Sequence, residues 1–491
     1  MTRASTVAAA TSLILIAAAC ILLSGDARGF GINPSTACAV LLLLIVLILL
    51  KRVIHERRIT AFKQVYTSLS KRRFMYSDEM RRTYPMSEAG KAAEGDPELS
   101  GKYLLAEPGW IAVVDIRDVT VTEVPAPKRT RGSAYARMRA SLVPDFMSPY
   151  IANMKTHLGK TPFAGEVIAY LGSSWEDGRL RIDAYHSDFY DYQNHIGLRE
   201  LYATKVIESM YARGGTDDGK LVSLWNMVDA RDFSNRPAVI GACSLLLFLG
   251  VRCPDGERDF LFVHRRSGNV TDAMNTISMV PAGGLTWDES DPSHSCNQAF
   301  RSTILREFEE EVLGRSEVDC TERFDIPAAY DDPCVGIYFI GMGLDPLNIK
   351  IEAMAAMVVD GRRDCSALRA HLSEMTGLRL DGDSFSREDL DLLAKKASSE
   401  GSIRVTELTR TNVERLMLNQ NSMPVFREAM RQLMRGGEGT LRGAIGLELR
   451  DRSIMSSAAL KASPSSLSLT LFLEFRRAGR FTSPTAIDST A

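Results

Sequence analysis

Glutamates at helical spacing lie in the stretch Ser302–Gly314, which reads STILREFEEEVLG. Glu307, Glu310 and Glu311 fall at positions i, i+3 and i+4, so a helix would bring three carboxylates onto one face. Like charges at this spacing repel one another by roughly a few tenths of a kcal/mol per pair. Mg²⁺ or Mn²⁺ would offset that repulsion, because these hard ions prefer carboxylate oxygens. The alternative is a solvated acidic helix surface.

The same stretch, together with the Gly-Gly turn before it, resembles the Nudix box, G-x5-E-x7-R-E-U-x-E-E-x-G-U, where U is a bulky apolar residue. The matching positions are Gly283, Glu289, Arg306, Glu307, Phe308, Glu310 and Glu311. Two features depart from the box. Sixteen residues, Ser290–Leu305, follow Glu289 where the box has seven, and Gly314 comes one place late.

The resemblance implies a Nudix-like α/β/α sandwich over residues 237–435, with a mixed sheet between helices. It implies catalytic roles for Glu307 and Arg306, with Mg²⁺ or Mn²⁺ as the cofactor. It makes Glu310, Glu311 and Glu307 the metal ligands. A further acid downstream would be Glu352 or Asp360.

The wider context resembles Nudix-type domains of bacterial regulatory proteins, in which an HRR strand and a VPAG turn precede the acidic helix. The corresponding segments here are His264-Arg265-Arg266 and Val280–Gly283. Such domains often sense ligands rather than hydrolyse them. By this resemblance, Arg265, Arg266 and Gly283 are predicted to bind the ligand.

The elements that must position these residues are predicted from apolar patterns. An apolar stripe on the acidic helix would seat it on a sheet; its members are Ile304, Leu305, Phe308 and Val312. Strands are predicted from apolar and β-branched runs, at Trp110–Ile116, Val119–Val124, Glu166–Leu171, Ala242–Leu249, Asp259–Val263 and Ile277–Val280. The sequence Cys253–Glu257 (CPDGE) predicts a hairpin turn between the fourth and fifth of these strands.

Two apolar runs near the N-terminus predict a two-helix transmembrane hairpin. Val7–Ser24 carries no charge, and Ala37–Leu50 is extended upstream by the uncharged stretch Gly29–Thr36. Roughly 20 apolar residues, at ~1.5 Å per residue, cross a hydrocarbon core of ~30 Å. A cleaved signal peptide is the alternative for the first run.

The charges that flank these runs predict the orientation. Basic residues follow the second run, at Lys51, Arg52, Arg57, Arg58, Lys63, Lys71, Arg72 and Arg73. The positive-inside rule places this side in the cytoplasm. We therefore expect a protein of the cell inner membrane with two spans and both termini cytoplasmic.

Composition and patterning divide the chain of 491 residues into five regions. These are a transmembrane hairpin (1–52), a helical stalk and linker (53–101), an α+β accessory domain (102–236), the Nudix-like domain (237–435) and a flexible tail (436–491). The predicted fold class is thus a membrane-anchored α/β protein. The net charge of −2 gives no general attraction to a nucleic acid polymer. The eight cysteines contain no CxxC pair, so a zinc site of that type is not indicated.

A basic cluster and an aromatic cluster in the accessory region have two interpretations each. The first, at Lys128, Arg129, Arg131, Arg137 and Arg139, is a solvated or lipid-facing surface, or else a phosphate-binding patch. The second, at Tyr185, His186, Phe189, Tyr190 and Tyr192, is half-buried packing or a base-stacking platform.

The predicted architecture, a Nudix-type domain behind two transmembrane helices, resembles the membrane effectors of cyclic-oligonucleotide-based anti-phage signalling systems (CBASS). The resemblance implies antiviral defence: the domain would bind a cyclic nucleotide, and the chain would form a homo-oligomer that disrupts the bilayer. The alternative is a membrane-tethered, Mg²⁺-dependent Nudix hydrolase of a nucleoside diphosphate derivative.

Overall fold

The computed structural model describes thirteen stretches of the chain. They are residues 34–84, 103–107, 109–128, 133–160, 165–214, 218–267, 275–287, 295–296, 298–315, 326–380, 382–396, 401–437 and 439–449. Glu289, Arg129, Arg131 and the first apolar run, Val7–Ser24, lie outside these residues.

The helices described are α1 (Pro34–Arg82), α2 (Ser133–Leu142), α3 (Tyr150–Leu158), α4 (Phe189–Tyr192), α5 (Leu198–Tyr211), α6 (Asp218–Met227), α7 (Ala299–Glu311), α8 (Ser366–Thr376), α9 (Arg387–Lys396), α10 (Arg410–Leu418), α11 (Pro424–Met434) and α12 (Leu441–Ile445). The strands described are β1 (Val114–Asp115), β2 (Val119–Glu123), β3 (Glu166–Glu176), β4 (Arg179–Asp188), β5 (Ile240–Cys253), β6 (Gly256–Arg266), β7 (Ile277–Ser278), β8 (Ala282–Gly284), β9 (Ser295–Cys296), β10 (Val335–Leu344), β11 (Ile351–Asp360) and β12 (Gly401–Glu407).

Helix α1 corrects the predicted membrane anchor. It is 49 residues long and consists of two segments joined at Arg72, where φ is −136° and ψ is 22°. No helix within the described residues is both long and apolar enough to cross a membrane, which contradicts the predicted membrane-anchored fold class; the first run of the predicted hairpin lies outside these residues. The physical reason is that the uncharged part of α1 ends at Lys51, so from Pro34 to Leu50 it has only about 17 residues. At ~1.5 Å per residue these residues cover about 25 Å of a ~30 Å hydrocarbon core.

The larger of two sheets has eight strands in the order β1-β10-β11-β5-β6-β12, with β7 beside β6 and β8 beside β5. The pair β5 and β11 is parallel and its other described pairings are antiparallel, which confirms a mixed sheet. Cys253 pairs with Gly256, which confirms the predicted hairpin turn between β5 and β6.

Both faces of this sheet are covered by helices. On β5, Ala242, Leu246 and Phe248 belong to the apolar cluster that contains the side chains of α7. The alternate residues of β5, at Leu245, Leu247 and Leu249, belong to the cluster that contains α11. Burial on both faces explains why β5 is almost continuously apolar rather than alternating.

A second sheet has four strands in the order β3-β4-β2-β9. The strands β2 and β3 confirm two predictions, whereas only Val114–Asp115 of the predicted strand Trp110–Ile116 is a strand. The boundary predicted at residue 236 is not a clean one, because β1 pairs with β10 of the large sheet and β9 pairs with β2 of the small one. Folded structure also continues past Arg435, since Leu441 of α12 is fully buried.

The predicted aromatic cluster is divided between core and surface. Tyr185 and Tyr192 are fully buried, and Tyr190 is exposed. The two buried rings support the interpretation as packing.

Candidate functional site

Helix α7 confirms the predicted acidic helix and its apolar stripe. Ile304, Leu305, Phe308 and Val312 are buried to within about 1% exposure and face the large sheet. The stripe therefore fixes the rotation of α7 about its axis. That rotation decides where each glutamate points.

Glu307 lies against the turn that precedes the helix in sequence. A Cβ atom at Gly283 would collide with the Glu307 carboxylate, so only glycine permits this approach. Arg306 donates a hydrogen bond from its guanidinium to Oε1 of Glu307 at 2.9 Å, and both side chains are largely buried. The ion pair fixes the orientation of the carboxylate beside β8.

Glu311 is hydrogen-bonded to Ala282, the residue of β8 that precedes Gly283. The backbone N–H of Ala282 donates to Oε2 of Glu311 at 2.9 Å. Nδ1 of His264 on β6 lies 3.8 Å from Oε1, and both side chains are buried. Burial, and then the positive charge of Arg266, lower the pKa of His264 to about 4. His264 is therefore neutral at pH 7, and its contact with Glu311 is not an ion pair at that pH.

Glu310 lies between Glu307 and Glu311 in the sequence of α7, and its side chain is partly exposed. Within the described ranges, no group of three or more His, Cys, Asp or Glu side chains is arranged to hold a metal ion. The geometry thus brings Glu307 and Glu311 to β8 without showing a preassembled three-carboxylate site in this part of the chain.

Glu309 belongs to the core and not to the acidic face. It is fully buried, and its carboxylate accepts hydrogen bonds from Tyr330 at 3.1 Å and from Arg315 at 2.6 Å. Nε2 of His371 lies 3.3 Å from Oε1. Burial opposes ionisation of Glu309, but these three partners outweigh it and hold the pKa of its carboxyl below the ordinary value. This role was missed from the sequence, because Tyr330 and His371 are remote from the helix in the chain.

The two arginines predicted to bind the ligand occupy adjacent positions of β6 and therefore face opposite sides of the sheet. Arg266 lies on the side of His264 and α7, where its charge acts on His264. Arg265 is exposed on the other side. The structure thus brings Arg266, but not Arg265, toward the acidic helix.

The remaining predicted groups lie elsewhere. Arg137 and Arg139 are on α2, which packs against α5. Glu352 is buried with Nζ of Lys350 at 3.5 Å, on the sheet face that carries Cys243 and α11 rather than α7. Asp360 pairs with Arg362 at 2.6 Å. Neither downstream acid joins the acidic helix.

No protein-family model matches the sequence, and no curated protein matches it at a significant level.

Proposed function

We propose that the α7 site binds the phosphates of a nucleotide through Mg²⁺ or Mn²⁺, and that the protein senses a cyclic nucleotide in anti-phage defence. The α7 site is the acidic face of α7 beside β8, with Glu307, Glu310 and Glu311. The observation that carries the proposal is the meeting of two segments distant in sequence. Gly283 and Ala282 of β8 contact Glu307 and Glu311 of α7, respectively. Both segments belong to the stretch that resembles the Nudix box.

The donor set fits a hard divalent cation. Glu307, Glu310 and Glu311 offer carboxylate oxygens along one edge of α7, which are the ligands that Mg²⁺ and Mn²⁺ prefer. A bound ion would neutralise phosphate charge, and it would lower the pKa of a bound water. Arg266, on the same side of the sheet, adds a positive charge that suits a phosphate.

A buried charge network supports a sensor because it joins the site's sheet to helix α1. Arg73 of α1 forms ion pairs with Glu200 of α5 and with Asp345, which follows β10 directly. Asp345 also accepts hydrogen bonds from the hydroxyl of Ser77 at 3.5 Å and from the N–H of Leu347 at 2.8 Å. All three charged side chains are nearly inaccessible to solvent. A shift of the sheet would therefore displace Asp345 and change its ion pair with Arg73, which is next to the joint of α1 at Arg72.

The output we propose is ligand-driven self-assembly of the chain. A ligand shifts an equilibrium only by its differential affinity for the two states. Moving from about 1% to 99% assembled requires about 5.5 kcal/mol of such preference.

The second candidate is a Mg²⁺-dependent hydrolase of a nucleoside diphosphate derivative. The ion pair between Arg306 and Glu307 favours it, since an oriented carboxylate beside a metal can accept a proton from water. In this case binding would be followed by cleavage, and no assembly would be needed.

The test uses the purified chain with Mg²⁺ and a panel of cyclic di- and trinucleotides. We expect one of these nucleotides to raise the melting temperature and to increase the molar mass measured by light scattering. Glu310→Gln should abolish the Mg²⁺-dependent part of the thermal shift. The matched control is Glu374→Gln, which makes the same chemical change at an exposed position of α8 and should leave the shift intact.

A second pair of variants separates binding from output. Arg73→Lys should retain nucleotide binding but weaken assembly, because a lysine cannot reach Glu200 and Asp345 together in the same geometry. Arg72→Lys, at the exposed neighbouring position, should behave like the wild type. Turnover of ADP-ribose that Glu307→Gln abolishes, without any change in molar mass, would establish the hydrolase instead.

A further inference from the structure

A cleft lined by aromatic rings lies on the four-stranded sheet. None of its lining residues belongs to the α7 site. Its volume is about 350 Å³. That volume is at the lower end of the range of about 300–1,000 Å³ found for small-molecule pockets. The rings that line it are Trp110, Tyr170, Trp175 and Phe233.

The rings form a rigid floor and an open wall. Tyr170 packs edge-on against Trp110 at 5.8 Å and against Phe233 at 4.7 Å between ring centroids. Trp110 and Tyr170 are nearly inaccessible to solvent, whereas Trp175 is 39% exposed. The indole N–H of Trp175 donates to the carbonyl oxygen of Gly109 at 2.8 Å, which holds the exposed ring in place. A fixed aromatic surface open to solvent is suited to stacking of a planar ring.

A charged pair supplies hydrogen-bonding groups to the cleft. Nε of Arg231 lies 2.9 Å from Oε1 of Glu107, and each side chain is about one-third exposed. The carboxylate can accept hydrogen bonds from ring or amino N–H groups, and the guanidinium can donate to ring nitrogens or carbonyl oxygens. A ligand cation is disfavoured, because Arg231 already neutralises the charge of Glu107.

We propose that this cleft binds the base of a nucleotide, stacked on Trp175 and hydrogen-bonded by Glu107 and Arg231. The site is separate from the acidic helix. Val167, near the other end of β3, faces Gly284 of β8, and Trp175 lies eight residues further along the strand. At about 3.3 Å per residue Trp175 is roughly 25 Å from Val167, whereas Tyr170 in the floor of the cleft is about 10 Å from Val167.

The test measures binding of AMP, GMP, CMP and UMP to the purified chain by ¹H–¹⁵N spectra of the four indole N–H groups. We expect at least one of these nucleotides to shift the Trp175 resonance, while ribose 5-phosphate, which lacks a base, does not. Trp175→Ala should lower the affinity about tenfold or more, since stacking is the sequence-tolerant part of base binding. Trp175→Phe keeps a ring and should lose less affinity. Glu374→Gln, at an exposed position of α8, should leave this binding unchanged.

Glu107→Gln keeps the shape of the side chain and should change the preference among the four bases, which tests the cleft even if Trp175→Ala does not fold. Equal responses to ribose 5-phosphate and to the nucleotides would overturn the proposal, because the phosphate would then be the recognised group. A response to choline alone would also overturn it, since the rings would then be a cation site. So would unchanged affinity in a folded Trp175→Ala protein.

Discussion

Replacing Glu309 with glutamine tests whether the glutamates of α7 are divided between core and binding face. The carboxylate of Glu309 accepts from Arg315 at one oxygen and from Tyr330 at the other, and His371 lies beside the second. Glutamine has a single acceptor oxygen, so at least one of these contacts is lost and an amide N–H₂ faces a donor. Hydrogen bonds to charged groups contribute about 1.5–3 kcal/mol each. We expect a loss of about 2–4 kcal/mol, close to the range seen when one partner of a buried pair is removed.

The assay is thermal unfolding followed by circular dichroism, in EDTA so that metal binding does not contribute. A loss of 2–4 kcal/mol corresponds to a fall in melting temperature of about 4–16 °C for a domain of roughly 200 residues. Glu310→Gln is the matched control on the same helix, and we expect its effect to stay below about 1 kcal/mol because Glu310 is partly exposed. Equal effects of the two changes, or a larger effect at Glu310, would refute the assignment of Glu309 to the core.

The pH dependence gives an independent check of the same residue. The folded-state pKa of Glu309 is lowered below its ordinary value, so the unfolded chain takes up the proton first as the pH falls. The stabilisation is therefore fully present above the unfolded pKa of about 4.3. It is lost as the pH falls further, through the folded pKa. The difference in melting temperature between wild type and Glu309→Gln should accordingly shrink below about pH 4.

Gly283 and Gly314 provide further predictions, and Gly284 provides a control. Gly283→Ala should displace the Glu307 carboxylate, abolish Mg²⁺-dependent stabilisation and lower stability by about 1–3 kcal/mol in thermal melts. Gly284→Ala, whose added Cβ would meet only an ordinary van der Waals contact, should do neither, and equal behaviour of the two variants would contradict the close approach. Gly314→Ala should lower stability by at least about 1 kcal/mol, because Gly314 has a φ of +74° and a Cβ there would lie 2.7 Å from the Lys396 carbonyl oxygen. A melting temperature unchanged by Gly314→Ala would show that the end of α7 relaxes freely.

The local elements that carry the site were predictable because their signals are local. The apolar stripe of α7, at Ile304, Phe308 and Val312, has the helical period, and this spacing does not depend on the rest of the chain. The hairpin turn at Asp255–Gly256 follows from its own residue types. The membrane anchor was predicted by the same kind of local reasoning and failed. Its second run is not long enough within α1, and its first run lies outside the described residues.

The partners of the glutamates could not be predicted, because they depend on which strands and helices meet. Sequence spacing gave Glu309 no separate role. Only the packing of α7 against Tyr330 and His371 made it a core residue. The sequence also assigned Arg265 and Arg266 the same ligand-binding role. Successive side chains of β6 point to opposite faces of the sheet, so the two arginines lie on different faces.

By itself, then, the sequence determined the acidic helix, its apolar face and the strands β5, β6 and β7 of the mixed sheet, since these depend on periodicity within short segments. The tertiary structure alone decided that β8 lies beside the acidic face, where Glu307 meets Gly283 and Glu311 meets the N–H of Ala282. The physical reason is that a hydrogen bond or close contact between segments requires both to be fixed by the common core. That core is a property of the whole chain and not of either motif.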